Sequence, residues 1–219
     1  MEPSQWNTYQ EMVQAAREEY AGRVDVRLGL ESDWLPGLED WLETLHANAP
    51  LHYVLGSVHP QLQEYKDLYL TGDWPTFHEQ YFLHLAEAAE TGLYDCLSHP
   101  DLVKNYGTET WDVTARMPHI LRCLDRIAAT GIAMELNTSG KNKTLPQMNP
   151  GPEILRAMCE RDIPVVVGSD AHEPGRVADN FLEAYNVLEA CGYTKIRYFI
   201  DRQPVDLNLA EARASFISA

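Results

Sequence analysis

Short apolar runs that each end in a residue able to bind a divalent cation recur along this chain, and no other feature constrains its fold as tightly. Val26-Arg27-Leu28-Gly29-Leu30 ends in Glu31, Val54-Leu55-Gly56-Ser57-Val58 in His59, and Cys96-Leu97-Ser98 in His99. Val165-Val166-Val167-Gly168-Ser169 ends in Asp170, with His172 two residues further on. Each run has the length and composition of a buried parallel strand. In a β/α barrel the loops after the strands gather on one face, and active sites are built there. Ligand-type residues far apart in sequence would then converge on one pocket.

The rest of the pattern agrees with that reading. Six strands are expected, at 24–30, 53–58, 94–98, 132–137, 164–169 and 196–200. Helices are expected at 6–20, 38–47, 75–91, from a cap at Asp112 to residue 130, from Asn149-Pro150 onward, and at 176–191. Residues 61–73, rich in Tyr, Asp and Gly, read as a loop over the pocket. The βαβα alternation implies parallel strands covered by helices. With 219 residues and no low-complexity tract, residues 1–219 are expected to form a single domain.

Charge and cysteine content narrow the function. The formal charge of −16 argues against a nucleic-acid partner, which needs clustered Lys and Arg. It leaves room for a small anionic substrate, because bound metal ions outweigh the global field locally. The four cysteines are widely spaced, with no Cys-x-x-Cys pair, and read as thiols of a reducing compartment. No apolar run is long enough for a bilayer, and residues after Met1 lack the character of a targeting leader. A cytoplasmic location and no membrane partner are the expectations.

Imidazole and carboxylate together bind zinc, iron or manganese. Glu31, His59 and His99 could supply one ion, and Asp170 and His172 others, with a carboxylate such as Glu31 placed to bridge two metals and clamp a phosphoryl group. Glu31, Asp170 and His172 are the residues expected nearest the reacting centre. Asp101 is expected to orient His99 or cap the next segment. Glu135 and Asn137 end another strand and are expected to contribute hydrogen bonds, Asn137 toward substrate. Arg176, at the start of a predicted helix, could hold a phosphate by its bidentate fork. The other histidines (His46, His52, His78, His84 and His119) are expected to be structural. No Gly-x-Ser-x-Gly elbow and no Gly-rich nucleotide loop occurs.

Gly29-Leu30-Glu31, Gly56-Ser57-Val58-His59, Ser98-His99-Pro100-Asp101, Glu135-Leu136-Asn137-Thr138-Ser139-Gly140 and Gly168-Ser169-Asp170-Ala171-His172 resemble, in order, the motifs of the polymerase-and-histidinol-phosphatase (PHP) family. The similarity is to its monofunctional histidinol-phosphatase branch and runs from about residue 24 to 191. It implies a distorted (β/α)7-type barrel, up to three divalent metal ions, and hydrolysis of L-histidinol phosphate to L-histidinol in histidine biosynthesis. Glu31, His59, His99, Asp170 and His172 would be the ligands, with Glu31 the bridge. Family members open with a strand bearing His-x-His, whereas the thirty residues before Glu31 contain no histidine. The expectation is therefore a barrel short of its first one or two strands. A start at an internal methionine, a natural short form, or strands supplied by another chain would each account for it. Alternatives to the leading function are a phosphoesterase acting on another small phosphorylated substrate and an inactive metal-binding or interaction module.

Overall fold

Five parallel strands pair in chain order in the computed structural model, which describes residues 3–217. They are β1 (Gly29–Asp33), β2 (Tyr53–Ser57), β3 (Cys96–Leu97), β4 (Ala133–Asn137) and β5 (Val165–Gly168). Strict sequential order means that every crossover steps in the same direction, the arrangement of barrel staves. Helix α1 (Trp6–Glu19) precedes β1; α2 (Glu39–Ala47) leads to β2; α3 (Gln63–Tyr69) and α4 (Trp74–Glu90) lead to β3. Helices α5 (Val113–Thr130) and α6 (Pro152–Cys159) flank β4, and α7 (Phe181–Ala190) follows β5. No helix among the described residues is long and apolar enough to cross a membrane.

Local chemistry explains where the long helices start and stop. The Asp73 side chain accepts a hydrogen bond from the Thr76 amide, and Asp112 does the same for Ala115, so each caps an otherwise orphaned donor. Helix α5 ends at Gly131, which takes the left-handed conformation (φ 74°) that closes a helix at little cost for glycine. Phe77, Tyr81, Leu85 and Ala88 recur at helical spacing on α4 and are buried with Leu97 of β3 and Met134 of β4 in one connected apolar cluster. Complete burial of a side chain such as Leu97 or Met134 contributes about 1.5–3 kcal/mol.

Sheet edges need cover. At β1 the cover is α1: the Tyr9 hydroxyl donates to the Gly29 carbonyl at 2.7 Å, and Arg17 donates to the Val26 carbonyl at 3.0 Å.

Four expectations require correction. Residues 196–200 do not join the parallel sheet: β6 (Lys195–Ile200) pairs antiparallel with β7 (Gln203–Asn208), which leads to α8 (Leu209–Ile217). Asp201 and Arg202 turn the hairpin with φ values of 51° and 64°, the left-handed pair that a two-residue hairpin loop demands. The segment 61–73 is not all loop, because α3 lies within it and packs Tyr65 into the core. The helix after β4 starts at Pro152 behind a Gly151 cap, not at Asn149-Pro150, whose peptide bond is cis. Helix α7 begins at Phe181, so Arg176 sits in a short 3-10 turn, Pro174–Arg176.

The hairpin anchors to the N-terminal ends of the parallel strands. The Arg202 amide donates to the His52 carbonyl at 3.0 Å, and its guanidinium pairs with Asp95 and donates to the Leu93 carbonyl. The opposite, C-terminal end is left to the site.

Candidate metal centre

Alternation along β1 puts Glu31 and Asp33 on one face. Both reach His59, which lies just past β2. Glu31 Oε1 is 3.6 Å from His59 Nε2, while Asp33 accepts the hydrogen bond from His59 Nδ1. His99, just past β3, brings its Nε2 to 3.3 Å from both Glu31 Oε1 and His59 Nε2. Glu31 therefore acts from the middle of its strand, not its end. The strand begins only at Gly29, two residues after Arg27, while the Val26 carbonyl accepts from Arg17.

Three donors at 3.3, 3.3 and 3.6 Å from one another define a triangle whose centre lies about 2.0 Å from each, which is the bond length that zinc adopts with imidazole and carboxylate. The residues fit a divalent ion. Asp33 fixes the Nδ1–H tautomer of His59 and turns its Nε2 lone pair toward that centre. Ser57 donates to Glu31 Oε1, and its hydroxyl lies 2.8 Å from that of Ser98.

The electrostatics favour positive charge at this point. Burial on its own would raise the Glu31 carboxyl. Hydrogen bonding and charge from His99, with help from Ser57 and His59, reverse this and hold it down to about 2. Burial would lower His59, but Asp33, Glu31 and Asp170 together raise it above the ordinary histidine value. An imidazole that gathers a proton among three carboxylates occupies a field suited to a cation.

Asp170 and His172 lie outside the tight triangle but line the same cavity. It measures about 230 Å³ and also contains Gln61, Asn137, Ser139, Lys143 and Asn149. Asp170 is held by the Ser139 hydroxyl at 3.0 Å, and the His172 ring nitrogen lies 3.0 Å from the Asp170 carbonyl. His172 is exposed at the mouth, with 82% of its side chain accessible.

The placement of the other expected residues is mixed. Glu135 is buried and accepts from the His99 amide at 2.9 Å and from Asn137 Nδ2 at 3.0 Å. Arg176 faces Asp179 at 3.9 Å and does not line the cavity. Lys143 lines it instead, from the loop after β4, and its ammonium makes no ion pair among the described residues. Asp101 stands at the N-cap position of the Leu102–Asn105 turn, but its side chain makes no capping bond and no hydrogen bond to His99; it pairs with the buried Lys104 at 3.0 Å and accepts from the Gly151 amide. The five remaining histidines are engaged elsewhere; for example, His46 meets Ser32 and His84 meets Tyr65. Asp33, Ser57 and Lys143 were not singled out from sequence. The i, i+2 spacing of Glu31 and Asp33 places both on one strand face but does not by itself mark Asp33 as a partner of His59.

Comparison with known proteins follows the same line. No protein-family profile matches the chain. A probable histidinol-phosphatase of Deinococcus radiodurans is 37% identical over 190 residues, covering 82% of this chain and 70% of that protein. The histidinol-phosphatase of Bacillus subtilis is 28% identical over 202 residues, covering 82% and 74% respectively. A crystal structure of histidinol phosphate phosphatase from Lactococcus lactis, in complex with Zn, L-histidinol and phosphate, superposes with a TM-score of 0.77. The match covers 91% of this chain and 79% of that one at 16% identity, and so shows the shared fold.

Proposed function

The chain belongs to the histidinol-phosphatase family, and from that premise we propose that it hydrolyses L-histidinol phosphate to L-histidinol and phosphate with divalent metal ions held in the Glu31–His59–His99 pocket. The carrying observation is the donor triangle, whose spacing fits one ion without rearrangement. The donor set suits zinc, iron or manganese. Asp170 and His172, on the same cavity, are the residues proposed to hold a further ion.

When bound, such ions supply positive charge against the phosphoryl oxygens and lower the pKa of a water. The protein's own residues do the positioning. Glu31, within β1, and His59 and His99, just past β2 and β3, fix one charge across three adjacent strands. Asp33 keeps His59 in the tautomer that offers Nε2 to the pocket. Lys143, a cation with no ion-pair partner among the described residues on a cavity of small-molecule size, is the proposed contact for the phosphate dianion, the part first expected of Arg176.

The test is phosphate release from histidinol phosphate after metal stripping and reloading with Zn²⁺, Mn²⁺ or Fe²⁺. Activity restored by at least one ion, and lost in His59→Ala with the fold retained, is expected. No release with any ion sinks the proposal. Turnover of other small phosphomonoesters in preference to histidinol phosphate would move the assignment to another substrate.

A further inference from the structure

Two of the ligand-type residues adopt backbone conformations that side chains usually avoid: His99 has φ 26° and Asp170 has φ 46°. Such residues persist when their surroundings over-determine them. They sit just past β3 and β5 respectively, with β4 between them, and the C-terminal end of β4 is where they are joined.

The connection is continuous. The His99 amide donates to Glu135 Oε2 at 2.9 Å, and Asn137 Nδ2 donates to the same oxygen at 3.0 Å. Asn137 Oδ1 accepts from the Ser139 amide at 2.9 Å, and the Ser139 hydroxyl donates to Asp170 Oδ2 at 3.0 Å. Glu135, Asn137 and Ser139 are all buried, at 4%, 2% and 2% exposure. Glu135 and Asn137 are two residues apart on β4 and so share a face, while Ser139 lies in the 3-10 turn that Asn137 caps. Gly168 on β5 leaves room for the Glu135 carboxylate, since a Cβ there would fall 1.9 Å from Glu135 Oε1. The far side of His99 is held as well, because its carbonyl accepts from the buried Tyr81 hydroxyl at 3.1 Å.

We propose that Glu135, Asn137 and Ser139 form a positioning relay that fixes Asp170 relative to His99, so that the His99 triangle and the Asp170–His172 pair face one cavity as two coupled halves of a metal centre. The relay rests on the metal-centre reading above and extends it to residues outside the ligand set. Ser139 acts on the Asp170 half alone, through one hydroxyl. Glu135 acts on both halves, through the His99 amide at one end and Asn137 at the other.

Calorimetric titration of the metal-free protein with Zn²⁺, with thermal melts run in parallel, separates this from simple core packing. The wild type is expected to bind zinc in a tight and a weaker class. Ser139→Ala removes one hydroxyl and is expected to weaken the second class by about 10- to 100-fold, the usual effect of losing a partner that orients a ligand, with the tight class and the melt unchanged. Glu135→Gln keeps an acceptor oxygen and is expected to retain both classes, whereas Glu135→Leu weakens both. The relay is overturned if Ser139→Ala titrates like wild type, if it weakens both classes equally, or if the wild type takes one ion only. A wild type that takes no zinc removes the metal-centre reading itself, and the relay with it.

Discussion

Replacing Gly168 by alanine tests how tightly β5 and β4 are fitted around the buried Glu135. The added methyl would lie 1.9 Å from Glu135 Oε1 and 2.9 Å from its Cδ, far inside contact distance. Gly168 is not in the left-handed region, so alanine brings no backbone strain and the outcome reports the side-chain clash alone. Overpacking of this kind costs about 1–3 kcal/mol. A displaced carboxylate also leaves the His99 amide and the Asn137 side chain without their acceptor, at about 1–3 kcal/mol for each buried donor. The lower entropy of the unfolded alanine chain offsets about 0.4–1 kcal/mol. A net loss of about 2–9 kcal/mol follows, which for a protein of this length lowers Tm by at least about 4 °C. Gly175→Ala is the control, because nothing lies within 4 Å of its added carbon and it too avoids the left-handed region. Thermal melts of the two variants decide the matter. If Gly168→Ala melts within about 2 °C of Gly175→Ala, the carboxylate is free to move and the reasoning fails.

Asp33→Ala should leave stability within about 0.5 kcal/mol, as expected for a half-exposed residue, yet lower zinc affinity about 10- to 100-fold by freeing the His59 tautomer; unchanged affinity in a competition titration counts against that role. Lys104→Met strands the buried Asp101 carboxylate, whose remaining donor among the described residues is the Gly151 amide, and should cost about 3–5 kcal/mol in denaturant unfolding. Burial pushes His84 down to about 4, so the unfolded chain binds the extra proton first as pH falls. Stability that is complete above about pH 6.5 should then be lost progressively down to about pH 4, by up to about 3 kcal/mol from this group. His84→Phe should flatten that part of the stability curve, and an unaltered slope would refute the assignment.

The sequence made the architecture legible wherever apolar runs met ligand-type residues, and it was blind where geometry is set across strands. His59 and His99 were recognisable because each directly follows a buried run. Asp33 was not, since an acidic residue two positions beyond Glu31 looks like ordinary surface charge until His59 is folded against it. The hairpin was misread because Asp201-Arg202 turns the chain without glycine, leaving Ile196 to Ile200 to look like one more buried parallel strand. Arg176 looked like the phosphate contact because it closely follows the Asp170 motif. The turn at Pro174–Arg176 carries it away from the cavity, and Lys143 reaches there from another loop. Spacing along the chain says little about which of two cations a loop delivers.

The anchoring of Arg202 to His52, Leu93 and Asp95 divides the labour of the strands along their length. Substitutions at that base should alter how many working molecules a cell maintains, through the folded fraction left after quality control, while each surviving molecule keeps its native turnover. Genetic screens that score growth alone would confuse the two effects, whereas abundance measured beside specific activity would resolve them.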